Sequence, residues 1–347
     1  MKVLVTGGAG FIGSHVAEYY ASKGDEVVIM DNFSRHVLLG KGEEWQRYNL
    51  EYLRRNHPSI TVIEGDVRRM EDLNKVGRSV DIIIHAAAQV AVTTSLVDPL
   101  TDFTINTLAT LNVLEFARRN DSFVLFCSTN KVYGENVNKI PLKDLGTRYW
   151  YAEPIYEEGI PEEFPVDGCA HTPYGCSKLS ADIYVQDYAY TYGLRTIVFR
   201  LSCIYGERQF GVEDQGWLAH FIKQAILDEW ITIYGDGKQV RDVLYVKDLV
   251  NAINLGFINS KRIRGEVFNI GGGPENAISI LEGLAYIREL VGHDLRIRYA
   301  DWRKADQKVY VSRIKKAYDL LHWKPSVSWR EGIKKLYIWM EDLLRKR

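Results

Sequence analysis

Cysteine is scarce in this chain. Four stand in 347 residues, at Cys127, Cys169, Cys176 and Cys203, and no two of them have the C-x-x-C spacing of a zinc or dithiol redox site. Free thiols in a reducing compartment are the reading that remains. The eight histidines are scattered and form no H-E-x-x-H pair, so no metal is expected. No apolar run approaches the ~18 residues that would span a bilayer, which excludes a membrane-spanning helix. Excess charge is also missing: the net charge of −1 offers no polyanion-binding surface, so nucleic acid is not an expected partner. Repeats and low-complexity tracts are absent. The chain opens directly into Lys2-Val3-Leu4-Val5-Thr6 with no secretory pattern ahead of it, and a cytoplasmic protein is expected.

What is present is the composition of an ordinary globular protein, 46% hydrophobic and 26% charged, long enough for one large domain or two coupled ones. The strand Val3-Leu4-Val5 runs into Gly7-Gly8-Ala9-Gly10-Phe11-Ile12-Gly13 and then into a helical pattern from Ser14 to Ser22. Strand, glycine turn and helix in that order form a dinucleotide fingerprint. Gly7, Gly10 and Gly13 let the backbone come close to a pyrophosphate, and the helix N-terminus presents N–H groups to it. Asp31 ends the second strand, Glu26 to Met30, where its carboxylate can accept from the adenosine ribose hydroxyls. A carboxylate there repels a 2′-phosphate. NAD is therefore expected rather than NADP, although Arg35 stands near enough in sequence to contest the choice.

Further strands are predicted at Thr61 to Ile63, Asp81 to Ile84, Phe123 to Cys127 and Thr196 to Arg200, with a possible short helix from Glu44 to Arg55 and a long one from Asp102 to Arg119. This alternation predicts an α/β chain: a parallel sheet with right-handed crossovers, covered on both faces. Ala86, Ala87 and Ala88 follow the fourth strand, small enough for a flat ligand to lie against the backbone. Ser128 and Thr129 leave the fifth at the edge where ligands sit in such sheets; they either face that crevice or merely cap the chain's exit. Residues 135–173 show no period and read as a long excursion over the sheet edge.

Tyr174 and Lys178 then stand four apart. On a helix over Gly175 to Tyr190 they share one face about 6 Å apart. To act as a base near neutrality, a tyrosine must fall about three pH units, or about 4 kcal/mol. One ammonium at about 4 Å and an effective dielectric of about 20 supplies that order of magnitude. The spacing alone also fits a packing tyrosine and a solvated lysine. In the C-terminal part, Arg208 and Arg241 are either solvated loop residues or cations for phosphate oxygens. A short strand is predicted at Phe268 to Ile270, and Arg330 to Arg347 carries an Ile333, Leu336, Trp339, Met340, Leu343 stripe that reads as core cover.

Together the Gly7/Gly10/Gly13 turn, Asp31, Asp66-Val67, Ser128-Thr129, Tyr174-x-x-x-Lys178 and Arg241-Asp242 resemble the extended short-chain dehydrogenase/reductase family over essentially the whole chain. The resemblance implies a Rossmann-like, doubly wound NAD domain over residues 1–200 and, over 201–347, a smaller α/β region that binds a nucleotide sugar and returns some segments to the main sheet. It implies Thr129, Tyr174 and Lys178 as catalytic residues. Around NAD it places Gly7, Gly10, Phe11, Ile12, Gly13, Asp31, Asn32, Ser34, Arg35, Asp66, Val67, Ala86, Ala87, Ala88 and Gln89, with Tyr174 and Lys178. Around the substrate it places Gln89, Ser95, Thr129, Ser202, Arg208, Gln209, Gln215, Arg241 and Arg303.

Within that family the segments around Gln89 to Ser95, Asn130-Lys131, Asp214 to Trp217, Gly237 to Leu244 and Asp306-Gln307 are similar to epimerases that act at C2 of a CDP-sugar. The dehydratases usually carry two acids where Asn130-Lys131 stands. The chemistry implied is transient oxidation of the sugar and return of the hydride with inversion. A UDP-glucose 4-epimerase, a 2-epimerase on another nucleotide sugar, or a non-catalytic NAD-binding sensor are the competing readings. A homodimer or higher homo-oligomer through the helices at 102–119 and 174–190 is also implied. Arg313 departs from the family's usual aspartate at the start of a late helix, and Ser312 is the candidate replacement cap.

Overall fold

The computed structural model describes residues 1–40, 45, 47–303 and 305–346. Seven strands form one sheet: β1 Lys2–Thr6, β2 Glu26–Asp31, β3 Thr61–Glu64, β4 Ile82–His85, β5 Phe123–Thr129, β6 Thr196–Leu201 and β7 Val267–Ile270. Their spatial order is β7-β6-β5-β4-β1-β2-β3 and every pairing is parallel. Side chains alternate between the faces. Val3, Val5, Ile82, Ile84, Phe123 and Leu125 enter one core, and Leu4, Ile83, Val124 and Phe126 the opposite one. A sheet buried on both faces explains why these strands read as unbroken apolar runs.

The order reverses at β1, which pairs with both β2 and β4. A crevice therefore opens at the carboxyl ends of β1 and β4, where the glycine turn and Ala86 to Ala88 leave the sheet. The expected helix from Glu44 begins among undescribed residues; the described helix is Tyr48–Asn56. The helix expected over 102–119 is present as Pro99–Phe103 and Ala109–Asn120 joined by a π-helical turn, Thr104–Leu108. Such turns are frequent at functional sites, and this one carries the buried Asn106.

Beyond β6 a second group of strands forms. Cys203–Tyr205 pairs parallel with Val243 to Tyr245, while Val240 to Asp242 pair with Ala277–Ser279 and with Val309–Tyr310. The helices Trp217–Ile226, Ile280–Val291 and Trp329–Arg345 share a core with these strands, and Ile333, Leu336 and Met340 of the expected terminal stripe are buried in it. Residues 135–173, expected as an unpatterned excursion, contain a hairpin of Leu142–Asp144 and Tyr149–Tyr151 with a small core around Tyr133, Tyr151 and Phe164. They touch the edge strand β7 where Asn269 N–H donates to Glu162 (2.8 Å) and its side chain to the Ile160 carbonyl (2.9 Å). The late helix Lys315–Leu321 follows Ile314 with no side-chain cap, so Ser312, which is fully buried, does not perform the capping expected of it.

The helix Thr172–Tyr192 starts with Pro173 in its first turn and stops at Gly193 in the left-handed conformation (φ 72°). Its buried residues, Tyr174, Ser177, Lys178, Ala181, Asp182, Val185, Tyr188 and Ala189, follow helical spacing. Unusually, the first half of that stripe is polar. Asp182 is satisfied by Arg200 Nε on β6 (3.0 Å) and Ser128 Oγ on β5 (2.8 Å), and Arg200 also donates to Tyr133 Oη (3.2 Å). This buried pair fixes the helix against the ends of two strands. Asp182→Ala strands the Arg200 guanidinium in the core and is expected to cost about 3–5 kcal/mol, measured by urea unfolding; a loss below about 1 kcal/mol, as for an exposed pair, would show that water reaches the arginine.

Candidate active site

At the crevice the glycine turn is tight. A Cβ on Gly7 (φ 67°) would lie 2.7 Å from the Ala87 nitrogen, and one on Gly13 would lie 2.1 Å from the Gly7 carbonyl oxygen. Gly10 supplies no side-chain cap to the helix Phe11–Ser22, which leaves the first-turn N–H groups of Phe11 and Ile12 for an anion. Asp31 accepts the N–H of Ala9 (3.0 Å) with one oxygen and that of Phe33 (2.8 Å) with the other. A carboxylate has about four acceptor sites, so two stay available for ribose hydroxyls. These features fit a dinucleotide.

Beside it, Asn32 donates to Asp66 (3.1 Å), and Ser34 donates its hydroxyl to Asn32 (2.7 Å). Val67 is buried next to this pair. Ala86, Ala87 and Ala88 are partly exposed at the crevice. Arg35, expected at the cofactor, is held by the segment around Phe210 and Gln215. Its guanidinium crosses to the Phe210 carbonyl (2.9 Å) and Gln215 Oε1 (2.8 Å).

The residues expected to carry the chemistry converge at the end of β5. Burial pushes the Tyr174 phenol up to about 12, a hydrogen bond with the Thr129 side chain pulls it back, and Asp102 raises it further. Lys178 is buried and donates to the Cys127 carbonyl at 2.7 Å, its ammonium 4.1 Å from the centre of the Phe126 ring. Burial lowers that ammonium to about 8. Lys178 is not among the groups that act on the phenol here, and one of its three donors goes to the Cys127 carbonyl; the sequence reading has the lysine and a cationic nicotinamide ring lower the phenol together.

Behind Tyr174 lies a polar cluster that sequence reasoning missed. Asn106, from the π turn, donates to the Gln89 carbonyl (3.1 Å), Asp102 (3.1 Å) and Ser177 Oγ (3.0 Å), and Ser177 also bonds to Asp102. No spacing in the sequence announces this set. It does decide the place of two expected ligand residues. Gln89 is buried with its amide on Asp102 (2.8 Å) and the Ala91 backbone, and Ser95 is buried with its hydroxyl on the Val92 carbonyl (2.7 Å) and accepting the Tyr174 N–H (3.1 Å). Both side chains face the protein instead of the ligand space.

That space is a cavity of about 530 Å³. Thr129 and Tyr174 line it with Val90, Thr93 and Leu96, and so do Trp217, Phe221 and Tyr234. Ser202, Gln209, Gln215, Arg241 and Arg303 of the expected substrate set also line it. Arg208 does not. It is buried elsewhere, bound to Glu18 (2.6 Å) and 4.1 Å from the centre of the Tyr52 ring.

Arg241 pairs with Asp306 (2.6 Å), and Arg303 with Asp214 (3.2 Å) over the Tyr234 ring. The amide oxygens of Gln209 and Gln239 are buried without a partner among the described residues, their NH₂ groups being held by the carbonyls of Ile204 (3.0 Å) and Tyr234 (2.8 Å). Each is an acceptor waiting for a donor. Gln239, Tyr234 and Asp306 were missed as site residues, although Gln239 and Asp306 stand in segments that the family resemblance had singled out.

Comparison with known proteins agrees with this arrangement. The chain is 38% identical over 354 aligned residues to CDP-paratose 2-epimerase of Salmonella typhi, covering 99% of this chain and 100% of that one. Among solved structures it superposes on UDP-glucose 4-epimerase of Thermotoga maritima with UDP-glucose (TM-score 0.82, 30% identity, 99% and 100% covered). It also superposes on the complex of Thermus thermophilus UDP-glucose 4-epimerase with NAD (TM-score 0.78, 29% identity, 98% and 99% covered). The family model described as NAD dependent epimerase/dehydratase matches residues 3–271. With the glycine turn, the Asp31 carboxylate and the full-length likeness in agreement, the chain belongs to the NAD dependent epimerase/dehydratase family and is an NAD-dependent enzyme.

Proposed function

We propose that this enzyme inverts C2 of a CDP-sugar, interconverting epimers of the CDP-paratose and CDP-tyvelose type. The observation that carries the reading is the wall next to Thr129. Removal of water needs an acid for the departing hydroxyl and a base for the carbon-bound proton, yet the cavity residues that follow Thr129 are Asn130 and Lys131. Glu213, Asp214 and Asp306, which also line it, are engaged by the Tyr234 hydroxyl, Arg303 and Arg241. This supports epimerisation over dehydration. The full-length likeness to the Salmonella typhi protein supports C2 and a cytidine nucleotide. The likeness to UDP-glucose 4-epimerase of Thermotoga maritima favours the second reading, inversion at C4 of a UDP-hexose.

When bound, NAD supplies a reversible hydride acceptor and a positively charged ring at the crevice. Tyr174, as phenolate, takes the proton of the sugar's C2 hydroxyl, and Thr129 orients the same oxygen by hydrogen bonding. Lys178 holds the helix against the sheet through the Cys127 carbonyl and keeps a positive charge near the ring ribose. After oxidation the keto sugar turns within the cavity, and Tyr174 returns the proton to the oxygen once the opposite face has been reduced. The nucleotide diphosphate lies toward Arg241 and Arg303, with Gln209, Gln215 and Ser202 bonding to it.

We read the assembly as a homodimer. Leu100, Phe103 and Leu108, with Ile183, Tyr184 and Tyr190 on the neighbouring helix, are exposed apolar side chains on the faces expected to pair. Four unpaired cysteines suit the reducing cytoplasm, and no helix among the described residues is long and apolar enough to cross a membrane.

Tyr174→Phe is expected to keep bound NAD, seen by absorbance, while kcat falls by about 10²–10⁴-fold; near-normal turnover would place the base elsewhere. In deuterated water the C2 hydrogen is expected to be retained through many turnovers, and solvent deuterium accumulating at C2 by NMR would reject the transient oxidation. Incubation with CDP-, GDP- and UDP-sugars is expected to show inversion with the CDP-sugar, and turnover of UDP-glucose alone would select the C4 reading. Phe103→Glu combined with Ile183→Glu is expected to give a monomer by light scattering, and an unchanged dimer mass would move the interface.

A further inference from the structure

Among the described residues three cations line the cavity, and two are already neutralised by carboxylates, Arg241 by Asp306 (2.6 Å) and Arg303 by Asp214 (3.2 Å). Lys131 is the third. Among the described residues it has no carboxylate within ion-pair distance, and its ammonium has one long contact, the Ala305 carbonyl at 3.4 Å. Burial and the nearby Arg241 lower that ammonium to about 8, against Asp306, which leaves it mostly charged at neutral pH. An ammonium half-buried in the cavity wall and left with one weak contact is a place that an anion brought by a ligand would stabilise.

Its position says which anion. The main-chain N–H of Lys131 donates to Thr129 Oγ1 (3.3 Å), so the residue is tied to the reacting end of the cavity. Its side chain ends beside Arg241 and Asp306, at the end assigned to the diphosphate. We propose that Lys131 grips the sugar-bearing phosphate of the nucleotide and so sets which ring carbon meets Thr129 and Tyr174. In a nucleotide sugar that phosphate is carried on C1. C2 is the neighbouring carbon, whereas C4 lies across the ring, so a cation two residues from Thr129 that holds this phosphate draws C2 toward the reacting pair.

The inference rests on the nucleotide-sugar reading, and its test separates the two. Binding of cytidine 5′-monophosphate and cytidine 5′-diphosphate to the NAD-loaded enzyme is measured by calorimetry, with the uridine and guanosine pairs run alongside. In K131M the diphosphate is expected to bind about 10- to 100-fold more weakly, the loss of one charge-assisted contact. The monophosphate lacks the phosphate in question and is expected to bind within about twofold of wild type, which also reports an intact cavity. K131R is expected to recover most of the diphosphate affinity. With nucleotide sugar at saturation, K131M is expected to lose at least about tenfold in kcat through misplacement of the ring. Unchanged diphosphate affinity in K131M, or an equal loss for monophosphate and diphosphate, would overturn the assignment while leaving the epimerase reading standing. Failure of the wild-type enzyme to bind any of the diphosphates would end both.

Discussion

The site depends on a helix whose buried face is half polar. Ser177, Lys178 and Asp182 are each 3% exposed or less, and groups of this kind are tolerated in a core only when each finds a partner. The partners come from separate parts of the chain: Asp102 and Asn106 for Ser177, the Cys127 carbonyl for Lys178, and Arg200 with Ser128 for Asp182. An apolar stripe can slide or rotate over a sheet at modest cost, whereas this one has a single register in which every polar group is paired. That register sets Tyr174 beside Thr129 at the carboxyl end of β5.

The same requirement explains the loop that carries Gln209 and Gln215. His15 bonds to the Glu207 carbonyl (2.9 Å), Arg208 to Glu18 (2.6 Å), and Arg35 to Phe210 and Gln215. Phe210 is stacked on Trp45 at 4.6 Å between ring centres. The wall of the sugar-nucleotide cavity is therefore fastened to the helix that begins at the glycine turn and to the segment after Asp31. Cofactor crevice and substrate cavity share these fasteners.

How much could be read from the chain alone follows from how local each signal is. The glycine turn and Asp31 were legible because their chemistry is fixed within some twenty-five consecutive residues. The parallel sheet was legible because strands buried on both faces leave apolar runs. Tyr174 and Lys178 were placed on one face by helical period alone. Arg208 was not: an arginine in a polar loop reads the same whether it meets phosphate or, as here, a glutamate on a helix some 190 residues earlier. The hydrophobic pattern was equally silent on the π turn that aims Asn106, since an inserted residue changes direction without changing composition. Ser312 fails as a cap because it is buried in a bridge to Ile160 and the helix begins only after Ile314.

Gln89 and Ser95, expected against the ligand, act one layer behind it, and their position tells how the tyrosine is held. The helix Thr172–Tyr192 has no side-chain cap from His171, so its first-turn N–H groups need acceptors from elsewhere. Ser95 Oγ accepts the Tyr174 N–H at 3.1 Å, and the Gln89 amide is locked to Asp102 and Ala91, at the start of the same segment. That segment also contributes Val90, Thr93 and Leu96 to the cavity wall. One short stretch thus lines the cavity with its outward side chains and holds the backbone of Tyr174 with its inward ones. Leu96, on the cavity wall, and Ser95, the acceptor of the Tyr174 N–H, are neighbours in that stretch, so wall and helix start are joined by a single peptide link. Under the proposed function, discrimination between sugars is then expressed in the placement of Tyr174 as well as in affinity, and follows from which side chains of a single loop must find partners inside the protein.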